Sequence, residues 1–173
     1  MSSDIIPSFF QQPTGSNLFG YYALVNIFPF LSSTTTSDDY LSVIEDCTRR
    51  NKRKLVGGTG EKLGDYHESS SPVIKRFCSQ KGLKVFPLRD KCGAEIRSHA
   101  RLLDAATEQS VDKLIIIGKP NSEPSTDGKA ISVDLSKKEI YNSSDTGPVE
   151  LSVENLKNLA FIIFDVLAVS RAT

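Results

Sequence analysis

The chain has 173 residues, enough for one domain with a full hydrophobic core. Apolar residues make up 39% and charged residues 24%, the balance of an ordinary globular chain rather than a disordered or fibrous one. The 21 basic and 21 acidic residues cancel, which argues against nucleic acid as the main partner.

The three cysteines, Cys47, Cys78 and Cys92, are odd in number and unpaired in spacing. They predict neither a disulfide framework nor a zinc site, and no cofactor motif accompanies them. The opening residues Met1-Ser2-Ser3-Asp4-Ile5-Ile6-Pro7 lack a basic n-region, and no apolar run reaches roughly 18 residues. Neither a secretory leader nor a membrane span is expected. A reduced cytoplasmic or nuclear compartment is the natural setting.

In chain order, Pro13 to Asn17 are turn residues, and Leu18 to Phe28 is apolar on nearly every side. A helix of that kind must be buried, with Ser16 or Asn17 as its cap and Pro29 as its stop. Ser37 or Asp38 opens a second helix to about Arg50, with Tyr40, Leu41, Val43, Ile44 and Cys47 inward. The cations Arg49 to Lys54 read as a helix C-terminus, where the dipole favours positive charge. Gly57 to Gly60 lacks the Gly-Lys-Ser/Thr ending of a phosphate cradle and reads as a loop, flanking a groove if one is present.

Ser71-Pro72 starts a third helix that Gly82 stops. Leu83 to Leu88 alternates as a strand. A helix is expected over about Ala94 to Gln109, with Ile96, Ala100, Leu102, Leu103 and Ala106 inward. Lys113 to Gly118 is a short apolar strand suited to the middle of a sheet. Lys129–Leu135 and Glu139–Asn142 form a hairpin around Ser136-Lys137-Lys138. Ser152 caps a last helix over about 153–170. The chain is therefore predicted to be α+β: a helical half over about 16–109, a small and mainly antiparallel sheet over about 113–142, and a C-terminal helix.

Gln12-Pro13-Thr14-Gly15-Ser16-Asn17-Leu18 resembles the nucleophile box of papain-like cysteine proteases. In SUMO-specific proteases that box reads Gln-Pro-Asn-Gly-x-Asp-Cys. Bacteriocin-processing peptidases have Gln-x5-Cys-Gly, and OTU deubiquitinases have a looser Asp-Gly-Asn-Cys. The second half of the resemblance is the hairpin Asp127 to Asp145, which looks like the strands carrying the family's His and acid. Having the box before the hairpin matches the papain, bacteriocin-peptidase and OTU order. The resemblance implies a papain-like fold, with Gln12 helping to form an oxyanion hole. It also implies a lost nucleophile, because Leu18 or, in the other register, Phe19 stands where the Cys would be. Asp127 stands where the His would be, and Ser144 or Asp145 near the acid.

The implied function is that of a catalytically inactive homologue. It would bind another protein or an extended peptide, ubiquitin-like proteins among the candidates, through the former substrate groove. A live cysteine hydrolase is the competing expectation. It would use Cys92, which precedes a helix start, or Cys78, with His67 or His99 as base. A third expectation is a complex subunit whose apolar helices complete an interface.

Overall fold

The computed structural model describes residues 9–11, 13, 18–54, 71–119, 129–143, 147–160 and 162–171. The first helix, α1 (Phe19–Ile27), has every residue but Tyr22 buried. That is the outcome its all-round apolar character demands. It begins at Phe19 with Leu18 in the N-cap position, and among the described residues no side chain caps it. Ser16 and Asn17, the expected caps, lie outside the described residues. Phe28 closes the helix through its N–H to the Leu24 carbonyl at 2.8 Å, and Pro29 follows.

One polar residue interrupts α1, and its bonds explain why. Asn26 is 5% exposed. Its carboxamide accepts from the Phe10 N–H at 2.7 Å and donates to the Phe10 carbonyl at 3.1 Å. A second donation reaches the Tyr22 carbonyl at 3.0 Å. The side chain thus pairs with Phe10 as a neighbouring strand would, and Phe9 stacks on Tyr141 with centroids 6.4 Å apart.

A short α2 (Leu31–Thr34) leads into α3 (Ser37–Lys54), one turn longer than expected. Tyr40, Val43 and Cys47 are buried at spacings of three and four. Leu41, expected inward, is 43% exposed because it lies a helical step away from that stripe. Next, α4 (Ser71–Gln80) starts at Ser71-Pro72 as expected and buries Val73, Ile74, Phe77 and Cys78. Gly82, at φ +74°, turns the chain into β1 (Leu83–Pro87).

The next helix, α5 (His99–Glu108), starts later than Ala94. The Asp90 carboxylate accepts from the N–H groups of Cys92 and Ala94 at 2.8 and 2.9 Å. Those bonds hold the segment in a turn, with Gly93 at φ +80°, in competition with a helix. Ile96 is buried in this loop, while Ala100 is exposed and Leu103 half-buried.

The remaining elements are β2 (Lys113–Lys119), β3 (Lys129–Asp134), β4 (Glu139–Tyr141), β5 (Val149–Glu150), α6 (Val153–Leu159) and β6 (Ile162–Arg171). The hairpin of β3 and β4 forms as its alternation predicts, pairing Ser132 with Tyr141 and Asp134 with Glu139.

The expected C-terminal helix over 153–170 is corrected: α6 ends at Leu159 and a ten-residue strand follows. The run Ile162 to Val169 is rich in β-branched and aromatic residues. In the sheet it is buried on both faces from Val166 to Val169. A strand covered on both sides has no alternation to separate it from a buried helix.

All pairings in the six-stranded sheet are antiparallel, in the order β1-β6-β2-β3-β4-β5. The sheet is larger than predicted and recruits β1 from the first half of the chain. It separates two cores. Ile115, Ile117, Ala130, Leu167 and Val169 pack with α1, α3 and α4. Leu114, Ile116, Ile131, Val133, Val166 and Ala168 pack with α5 and α6. The chain is thus α+β, with helices on both faces of one sheet.

Candidate functional site: the start of the buried helix against the sheet

Helix α1 lies along β3 and runs in the same direction. Its first residue meets the start of the strand: the Lys129 ammonium sits 5.3 Å from the Phe19 ring centroid. At the other end, the Lys113 ammonium lies 5.9 Å from the Phe28 ring, and Lys113 pairs with Asp134, the last residue of β3. A helix apolar on all sides can lie along a sheet this way because every face finds a covering partner.

The N-terminus of α1 is a distinct electrostatic place. The first N–H groups of a helix have no partner within it and point outward with a positive partial charge. Here the N-cap residue is Leu18, which is half-buried, and Phe19 is 8% exposed. Neither side chain ionises, donates a proton or attacks. Among the described residues Lys129 adjoins this end and adds a cation to the positive end of the dipole.

The same end of the sheet carries further structure. Lys129 pairs with Gly118, and Lys119 pairs with Ile162, which is 41% exposed. The register of β2 and β6 shifts between Ile117 and Gly118. Arg97 donates to the carbonyls of Ile163 and Phe164 at 2.6 and 2.7 Å, holding the irregular part of β6. Asp165 accepts a short hydrogen bond from the Ser71 hydroxyl at the start of α4. Arg89 lies 3.9 Å from its other oxygen. Asp165 is the single acid in the apolar run of β6. That isolation is the signal that could have marked it in the sequence.

The structure brings Leu18 and Phe19 to the start of β3. Gln12, Asn17, Asp127, Ser144, Asp145 and His67 lie outside the described residues, as does the Gly-rich stretch 57–60. Cys78 is fully buried in the core, and burial pushes its thiol up to about 12. A thiol held protonated in this way is a structural group, not a nucleophile. His99 is the first residue of α5, and its Nε2 faces the Ala160 carbonyl at 2.7 Å. With the proton on Nε2, the ring ties α5 to the turn before β6, a partner that a mid-helix placement had not suggested.

Cys92 is exposed in the Asp90 turn. It borders a pocket of about 300 Å³ lined by Asp90, Lys91, Arg101, Asp104, Ala105 and Glu108. No imidazole stands among those residues. Among the described residues, no three His, Cys, Asp or Glu side chains converge to hold a metal ion. Nor is any described helix long and apolar enough to cross a membrane.

Thiol labelling checks this distribution. With a colourless aromatic disulfide reagent on the native chain, Cys92 is expected to react within minutes. Cys47 and Cys78, both buried, are expected to react only as the chain unfolds. Fast native labelling of Cys78 would mean that the core around α4 opens far more readily than its burial indicates.

No protein-family model matches the chain, and no curated protein matches it significantly.

Proposed function

We propose that the chain is a catalytically inactive homologue of papain-like cysteine proteases, and that it binds another protein or an extended peptide at the former substrate groove. The observation that carries this reading is the meeting of the α1 N-terminus with the start of β3. Papain-like hydrolases bring nucleophile and base together between a buried helix and a sheet strand. On this reading the described residues at the corresponding place are Leu18, Phe19 and Lys129.

Leu18 and Phe19 carry no group that attacks or passes a proton, and beside a cation they suit binding rather than nucleophilic catalysis. Peptide capture by such a junction would combine apolar contact with main-chain hydrogen bonds along the sheet end. The half-exposed Ile162 adds apolar area there. A reducing compartment, cytoplasmic or nuclear, belongs to the same reading, and the exposed thiol of Cys92 supports it.

The test uses ubiquitin and a SUMO-type modifier as probes. Titrated into isotope-labelled chain, a bound modifier is expected to move the amide resonances of Leu18, Phe19 and Lys129 first. Leu18→Asp is expected to weaken that binding by at least about tenfold, the equivalent of roughly 1.4 kcal/mol, with the folded spectrum retained. A modifier carrying a C-terminal electrophile is expected to leave the chain unlabelled. Covalent capture of Cys92 would overturn the inactive reading. Shifts confined to surfaces remote from Leu18 would remove the junction as the binding site.

A further inference from the structure

The outer edge of the sheet at β1 has a pattern that selects its own partner. The Leu88 N–H donates to the Val166 carbonyl at 2.9 Å. The register pairs Phe86 with Ala168 and Lys84 with Ser170. In an antiparallel ladder, hydrogen-bonded pairs recur at every second residue. The backbone groups of Lys84, Phe86 and Leu88 therefore point toward β6, and those of Leu83, Val85 and Pro87 point outward. Pro87 fits this parity, since its missing N–H falls on the outer side.

The outer side chains are uneven. Phe86 is 44% exposed, the most of any large hydrophobic side chain among the described residues, and Lys84 is exposed on the same face of the strand. Among the described residues no strand pairs with this edge, and such an edge is a template for another strand.

The geometry points to a second copy of this chain as the occupant, paired antiparallel through β1 about a two-fold axis at Val85. In that register the two Val85 residues exchange both of their hydrogen bonds. Each Leu83 N–H meets the Pro87 carbonyl of the other copy, so the absent proline donor leaves only the Leu83 carbonyls without a bond. Each Phe86 ring lies opposite the Lys84 stem and ammonium of the other copy in the closer, non-hydrogen-bonded kind of pair.

Sliding the axis to Lys84 would set two ammonium groups face to face. Sliding it to Phe86 would place the prolines opposite Val85 and lose two of the four bonds. The residues that commonly protect an edge, a lysine and a proline, thus permit this one pairing. The two sheets would join into one.

Sedimentation equilibrium of the full chain up to about 100 µM, a range that detects weak dimers, tests the inference. The native chain is expected to be dimeric. Val85→Pro removes an outward donor, leaves the hydrogen bonds to β6 in place at some cost in core packing, and is expected to give a folded monomer. Phe86→Lys sets its new cation against Lys84 and is expected to weaken the dimer at least about tenfold. Adding Lys84→Glu to Phe86→Lys restores opposite charges across the axis and is expected to recover the dimer. A monomeric native chain overturns the proposal. So does a folded Phe86→Lys variant that dimerises normally, or a double variant that stays monomeric.

Discussion

Gly118→Ala is expected to destabilise the chain by about 3 kcal/mol or more, among the largest losses a single methyl group can cause. A Cβ at this position would lie 2.4 Å from the Ile162 carbonyl oxygen and 3.2 Å from the Ala160 Cβ. The oxygen belongs to the backbone of the neighbouring strand, so relief requires β2 and β6 to separate at their register shift. Equilibrium denaturation in urea measures the loss as a lower midpoint at unchanged slope.

Gly93→Ala is the control. It has nothing within 4 Å but sits at φ +80°. Its cost should be confined to left-handed backbone strain, about 1–2 kcal/mol. If the two variants lose equal stability, the close approach of β2 to β6 is not what holds Gly118 in place. The strand end also carries the candidate site, because Lys129 pairs with Gly118. If the proposed function holds, displacement of β2 should therefore reduce binding at the junction in parallel with stability.

Phe77→Ala is expected to cost about 3–5 kcal/mol, a large share of the roughly 5–15 kcal/mol that holds a domain of this size. Phe77 is fully buried and stands between three helices. Its ring meets Tyr40 of α3 at 5.1 Å and Tyr21 of α1 at 6.1 Å, both edge-on, from its own place on α4. No neighbour can fill the space, since those rings are fixed by one another. Leu41→Ala, at an exposed position on α3, should change stability by no more than about 0.5 kcal/mol. Calorimetry on the pair reads the difference directly. A small loss for Phe77→Ala would mean that α4 packs more loosely on α1 and α3 than the ring distances imply.

The elements that could be read from the sequence are those with an internal signature. Helix α1 announced itself by having no polar face, and Pro29 gave its end. Ser71-Pro72 and Gly82 bracketed α4. The β3–β4 hairpin showed period-two alternation around a turn.

Strand β6 had no such signature, because burial on both faces erases the alternation that distinguishes strand from helix. The start of α5 was hidden by a side chain: Asp90 captures two amides further along, and no periodicity records that. At the site, Leu18 and Phe19 were singled out through the resemblance of the Gln box. Lys129 was not, since a lysine at a strand start reads as solvated until the ring beneath it is known. Asn26 carried no readable signal in the sequence. Its partner, Phe10, is 16 residues away in sequence, beyond the reach of any local pattern.

The position of β6 has a consequence for how the chain is made. The last of the described strands in chain order lies between β1 and β2 and pairs with both. During synthesis β1 emerges early and has no hydrogen-bonding neighbour until β6 follows. The helical core around α1 likewise waits for Leu167 and Val169 to close it. Such distant pairing slows folding and prolongs the life of exposed strands. Nascent chains of this protein should therefore depend on chaperone cover until β6 has left the ribosome, whatever the stability of the finished fold.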